Sequence, residues 1–317
     1  MVSRLPGQCC ATANSDCPGK DGFWFWSGPH SFCILAEKYF VAQFPYQQFS
    51  TAGIPLHFAH ANGYPPDAYR SLLAPLQSDF AISAMLFRPL QPGRSLGELR
   101  SWWQLADDLN TFLEERDRGP VLGVGHSLGA VVTMLAASRR PELFRRIVII
   151  EPVFLPPVLY AITSLIPIFL RNYVVPPARI ARKRRDRWAS REEAYAHLRK
   201  KRVFARVSDE IMRDIVEAGI SDADSGATLQ YSKAWEARTY STLASPWRAM
   251  KQVRIPVLGL RGIHTDTVPD ASWQRWQRVQ PGARLVQHEK AGHLLPFEDP
   301  VWVQRQLQGF FAEANSG

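Results

Sequence analysis

"VLGVGHSLGA", Val121 to Ala130, sets Ser127 between Gly125 and Gly129 straight after an apolar run. A buried strand running into a helix does not need a glycine two residues before and two residues after a serine. A sharp reversal that pushes one side chain into a cleft does, because a Cβ at either flanking position would collide with the neighbouring strand or helix. The pattern therefore predicts a strand, a tight turn carrying Ser127, and a helix from Leu128 whose amide hydrogens favour negative charge beside the hydroxyl. The plainer alternative is a helix N-cap serine between turn glycines.

Working outward, the same alternation continues on both sides. "KYFVAQF", "QQFSTAGIPLHFA", "FAISAMLFRP", "RRIVIIEP", "IPVLGLRG" and "ARLVQHE" read as further strands, several of them apolar without a break. "SLGELRSWWQLADDLNTFLEER" puts Leu96, Leu99, Trp102, Leu105, Leu109 and Leu113 on one helical face, with Ser95 and Glu98 as a capping box. A helix stopped by Pro141, one over Asp270 to Gln280 and one from Pro300 complete the set. Strands alternating with helices predict an α/β fold, a mostly parallel central sheet covered by helices on both faces.

The segment 152–245 breaks that rhythm and reads as an inserted helical cap between two parts of a core, 38–151 and 246–317. It opens with 19 residues free of charge between Glu151 and Arg171. That is near the length of a membrane span, but Pro156, Pro157 and Pro167 argue against one. Residues 179–202 then hold eleven Arg and Lys against three acids, which accounts for nearly all of the net charge of +9. A solvated helix face is the plainest reading. Weak contact of the basic cap with an anionic membrane surface is the next, and nucleic acid is not expected because no stacking aromatics interleave the run.

Residues 1–37 read as an irregular tail with no assigned function. They contain all four cysteines, Cys9, Cys10, Cys17 and Cys33, without metal-ligand spacing, so neither a zinc site nor a disulfide-dependent core is expected. The tail lacks the apolar stretch of a signal peptide, which points to the cytoplasm.

A serine hydroxyl needs a base, and the base needs a group to orient it. His293 in "EKAGHLLPFEDP" is the best base, since it follows a predicted strand and small residues. His264 and His288 are poorer, one standing where the acid is wanted and one inside a strand. For the acid the choice is Asp266 in "RGIHTDTVPD", with Glu151 at the end of "RIVIIE" as its rival. The oxyanion needs two donors. They are assigned to the backbone N–H of Leu128 and, in the turn "HFAHANGYPP", that of Asn62, with Ala61 next.

Together these pieces resemble the α/β-hydrolase superfamily, in its serine esterase and lipase-like branch with a cap insertion, from about Tyr39 to the C-terminus. His60 to Gly63 resembles the family's oxyanion loop, with alanine where glycine is usual and glycine where proline is usual. The resemblance implies a Ser127–His293–Asp266 triad, no metal or organic cofactor, and a cap that roofs the site. Serine at the elbow argues against dehalogenase and epoxide hydrolase chemistry. Apolar cap residues (Phe154, Leu155, Val158, Leu159, Leu165, Ile166, Ile168 and Phe169) point to a hydrophobic carboxylic ester cleaved through an acyl-serine. Thioesterase, lactonase and carbon–carbon hydrolase chemistry remain open, as do a non-catalytic binding protein and a peripheral membrane protein.

Overall fold

The computed structural model describes residues 39–40 and 44–312. The four cysteines and the whole tail, 1–37, lie outside them. Eight strands form one sheet: β1 (Tyr39–Phe40), β2 (Tyr46–Gln48), β3 (Ile54–Ala59), β4 (Phe80–Met85), β5 (Val121–His126), β6 (Phe144–Ile150), β10 (Val257–His264) and β11 (Arg284–Gly292). Their spatial order is β1-β2-β4-β3-β5-β6-β10-β11. Pairing is parallel from β4 through β11, and antiparallel where β2 meets β1 and β4.

The unbroken apolar strands are explained by burial on both faces. In β6, Val148 and Ile150 point into one core, while Ile147 and Ile149 point into the other. Burying side chains of that size contributes about 1.5–3 kcal/mol each. Helices α1 (Trp102–Arg116), α2 (Leu128–Arg139) and α9 (Asp270–Val279) cover one face, and α10 (Pro300–Ala312) covers the other. The start of α1 differs from the sequence reading. The Ser95–Glu98 capping box forms, but it caps a single 3-10 turn. The helix proper begins after Ser101, which makes its own capping box with Gln104.

Between β6 and β10 the chain forms α3 (Pro157–Leu165), α4 (Ile168–Val174), α5 (Pro176–Lys183), α6 (Arg191–Arg199), α7 (Asp209–Gly219) and α8 (Lys233–Tyr240). The segment is not purely helical. Strands β7 (Arg187–Trp188), β8 (Ile220–Ala223) and β9 (Gly226–Leu229) make a small sheet of order β7-β9-β8. The charge-free stretch after Glu151 is broken into short helices by its prolines. Among the described residues no helix is long and apolar enough to cross a membrane.

Candidate active site

Ser127 stands one residue past β5 with φ 55° and ψ −113°. A positive φ is costly for a residue with a Cβ, about 1–3 kcal/mol, and is held here by its surroundings. Its N–H donates to Ile150 O at 2.9 Å, tying the turn to β6. The flanking glycines are required by distance. A Cβ on Gly125 would lie 2.4 Å from Gly129 O, and one on Gly129 would lie 2.0 Å from Ala59 O. The first contact is with the helix and the second with the neighbouring strand β3.

His293 follows β11, and its Nε2 lies 3.0 Å from Ser127 Oγ. On its other side, Nδ1 lies 2.9 Å from Thr267 Oγ1 and 3.3 Å from Glu151 Oε2. Glu151 is fully buried. Its Oε1 accepts the N–H of Gly262, and its Oε2 accepts the hydroxyls of Thr265 and Thr267. With these donors anchoring it, the carboxylate is placed to accept the Nδ1 proton of His293, leaving Nε2 free to take one from Ser127.

The carboxylate that lies behind His293 is Glu151 and not the expected Asp266. Register and alternation explain the correction. His126 pairs with Ile150 across β5 and β6, so Ser127 and Glu151 each stand one residue beyond the same rung. Glu151 also has a positive φ, 47°, marking a second sharp turn beside the first. After β10, Thr265 and Thr267 turn inward to the carboxylate, and Asp266 between them faces solvent with no hydrogen bond to His293. The two rejected histidines are elsewhere. His264 is exposed, and His288 pairs with Asp299 at 3.2 Å.

The backbone N–H groups of Leu128 and Asn62 have no acceptor among the described residues, whereas that of Ala61 is taken by Tyr69 Oη at 3.1 Å. Of the two candidates in this turn, Asn62 is the one whose N–H is left without an acceptor among the described residues. Its direction is set by His60, whose Nε2 accepts the Phe87 N–H and whose Nδ1–H donates to Ala61 O at 2.9 Å. That carbonyl and the Asn62 N–H belong to one planar trans peptide unit, so fixing one aims the other. Burial lowers the His60 pKa to about 4, which keeps the ring neutral for this task.

A second set of residues has no local sequence signal. Tyr69 Oη accepts the Ala61 N–H and donates to His126 Nδ1 at 2.8 Å, and His126 Nε2–H donates to His293 O at 2.9 Å. This buried chain ties the oxyanion loop, the elbow and the base together. Burial, then the proximity of His293, lowers the His126 pKa to about 3. The partners lie 57 and 167 residues apart, beyond the reach of any motif.

The roof also differs from expectation. Val158, Leu159, Leu165 and Phe169 face solvent, and Phe154 is packed against Trp247 and Trp276 in the core. What lies against the oxyanion loop is polar. Asn62 Nδ2 donates to Glu236 O at 3.3 Å, and a Cβ on Gly63 would come 3.9 Å from the Glu236 carboxylate. Arg184 Nη2 lies 2.8 Å from Glu236 Oε2, off-line for a hydrogen bond, and Arg184 Nε is buried without an acceptor. Tyr64 and Tyr240 stand close enough to feel both charges. Desolvation raises the Glu236 pKa, and Arg184 opposes that rise. Among the described residues no cluster of His, Cys, Asp or Glu is placed to hold a metal ion.

The model of the alpha/beta hydrolase family matches residues 58–305. The chain belongs to that family. It is 27% identical over 213 residues to 2-(acetamidomethylene)succinate hydrolase of Mesorhizobium japonicum, a match spanning 65% of this chain and 69% of that protein. The crystal structure of E-2-(acetamidomethylene)succinate hydrolase superposes with a TM-score of 0.70 at 21% identity, covering 85% of this chain and 95% of the other. The thioesterase domain from the curacin biosynthetic pathway gives 0.68 at 14% identity, covering 86% and 98%. The family match and the curated relative support a hydrolase, and the solved structures show the shared fold; the bond and the substrate are separate questions.

Proposed function

We propose that this hydrolase cleaves a carboxylic acyl bond, ester or amide, through an acyl-Ser127 intermediate, in a small substrate carrying a carboxylate. The observation that carries the chemistry is the 3.0 Å approach of His293 Nε2 to Ser127 Oγ, with buried Glu151 behind Nδ1. In the first half-reaction Ser127 Oγ attacks the acyl carbon and His293 takes its proton. The oxyanion is held by the N–H groups of Leu128 and Asn62. His293 then gives the proton to the leaving alcohol or amine. In the second half-reaction water attacks the acyl-serine with His293 as base, and the acid departs.

The carboxylate is inferred from Arg184. Beyond its ion pair with Glu236, Arg184 keeps an Nε without an acceptor beside the oxyanion loop, a donor that suits a substrate carboxylate, and an Arg–carboxylate hydrogen bond is among the stronger protein contacts. The hydrophobic ester expected from the sequence loses support, since four of the eight side chains it rested on face solvent and Phe154 is packed in the core. The relative from Mesorhizobium japonicum acts, by its name, on a substituted succinate, which agrees with this reading.

The test is a matched set of small esters and amides with and without a carboxylate, assayed with wild type, Ser127→Ala and Arg184→Gln. Ser127→Ala should abolish turnover. Arg184→Gln should raise KM about tenfold or more for the carboxylated members, as loss of a charge-assisted hydrogen bond predicts, and leave the neutral ones unchanged. Preference of wild type for neutral long-chain esters would overturn the substrate class.

A further inference from the structure

The surface of α3, α4 and α5 has the chemistry of a membrane-docking face, and no part of the proposed mechanism uses it. Of the thirteen exposed large apolar side chains among the described residues, nine lie between 158 and 180. On α3, Val158, Ile162 and Leu165 follow helical spacing along one side, and Leu165 is 83% exposed. Phe169 on α4 is 66% exposed, and Ile180 on α5 is 67% exposed. Soluble proteins rarely leave so many large apolar groups together in water without a partner.

Between 152 and 178 the one charge is Arg171, and it is drawn away from the surface. Its guanidinium donates to the carbonyls of Ile166, Ser164 and Ser241, pinning α3 to α4 and to the turn after α8. At the edge the charge has one sign. From 152 to 185 there is no acid, while Arg179, Arg182 and Lys183 are exposed on α5. None of the three has a carboxylate partner among the described residues, and Arg182 lies over the Tyr173 ring at 4.0 Å. The inner side of α5, Ala178 and Ala181, packs on Ala237 of α8, so its apolar outer residue and its cations face outward together.

We propose that α3–α5 docks on an anionic lipid bilayer, the apolar side chains entering the interface and Arg179, Arg182 and Lys183 meeting the headgroups. Charge complementarity selects this occupant. A second copy seated symmetrically would set this patch, without an acid from 152 to 185, against the same acid-free patch, leaving the rim cations no counter-charge there. An anionic bilayer offers both a layer for the apolar face and negative charge for the rim. The docking is peripheral, since the helices are too short to span.

The experiment is sedimentation of the full chain with vesicles of phosphatidylcholine, alone and mixed with phosphatidylglycerol, at low and high salt. Wild type should pellet with the anionic vesicles at low salt, and binding should fall as salt rises. R179Q/R182Q/K183Q should weaken binding on the order of 100-fold, at about fivefold per cation. Leu165→Asp with Phe169→Asp should weaken it comparably. These side chains are exposed, so both variants should melt like wild type and retain hydrolysis. Absence of pelleting with anionic vesicles at low salt would overturn the proposal. So would wild-type binding by the Leu165/Phe169 double variant, which would mean charge alone, of a kind an acidic peptide could satisfy. A concentration-dependent dimer in light scattering that the double variant abolishes would assign the face to a second copy instead.

Discussion

Replacing Glu151 with glutamine is the sharpest test of the site, because the new amide has little choice of orientation. Oε1 accepts the Gly262 N–H, so the glutamine carbonyl must take that place and the NH2 must face Thr265, Thr267 and His293 Nδ1. A donor against Nδ1 favours the tautomer with the proton on Nε2, which then points at Ser127 Oγ and cannot accept. The imidazolium formed during attack also loses its counter-charge. Two unit charges 3.3 Å apart interact by about 5 kcal/mol at an effective dielectric near 20. That corresponds to a rate loss on the order of 10³–10⁴. The analogous exchange in the serine-protease triad costs about 10⁴. The assay is hydrolysis of a p-nitrophenyl ester together with labelling of Ser127 by a fluorophosphonate, with thermal melting as a control for folding. Asp266→Asn, an exposed change, should leave the rate within about twofold, as lone surface charges contribute little. If the Glu151 variant stays within tenfold of wild type while Asp266→Asn loses orders of magnitude, the assignment of the acid is wrong.

Three more expectations follow from the same geometry. Gly129→Ala puts a Cβ 2.0 Å from backbone Ala59 O, and overpacking of this kind costs about 1–3 kcal/mol or more; a wild-type urea midpoint would contradict it. Tyr69→Phe strands His126 Nδ1 and the Ala61 N–H, each at about 1–3 kcal/mol. It should lower both the melting temperature and kcat, and unchanged kcat in folded protein would show that the buried chain does not position the site. Burial lowers the pKa values of His57 and His126 to about 3 and of His60 to about 4. Stability from these groups is fully present above the unfolded value of 6.5 and is lost as pH falls towards 4–3. Each contributes about 1.4 kcal/mol per pH unit in that window. Denaturant melts between pH 7 and 4 should show the decline, with a shallower slope in His57→Leu; a flat profile would refute it.

The sequence by itself determined what local periodicity and covalent geometry control. Continuous apolar strands need burial on two faces, so "RRIVIIEP" and "IPVLGLRG" could only be central in a covered sheet. Gly125 and Gly129 are demanded by approaches of 2.4 and 2.0 Å that any residue with a Cβ would block, and they marked Ser127 in the bare text. His293, beyond a strand and after Gly292, was legible for a similar reason. Only the tertiary structure decided which carboxylate serves it. Glu151 and Asp266 both follow core strands, and the choice turns on the pairing of His126 with Ile150 and on the inward turn of two threonines, neither written in either segment alone. The same holds for the greasy run after Glu151. Composition marks it as apolar, but which side of a short helix meets the protein depends on what packs beneath it. Here Ala178 and Ala181 take the inner side of α5 and leave Ile180 and its cations outside. Arg184 and Glu236, and Tyr69 and His126, are pairs that meet only once the chain has folded, because hydrogen bonds and charge pairs act through space and leave no period in the sequence.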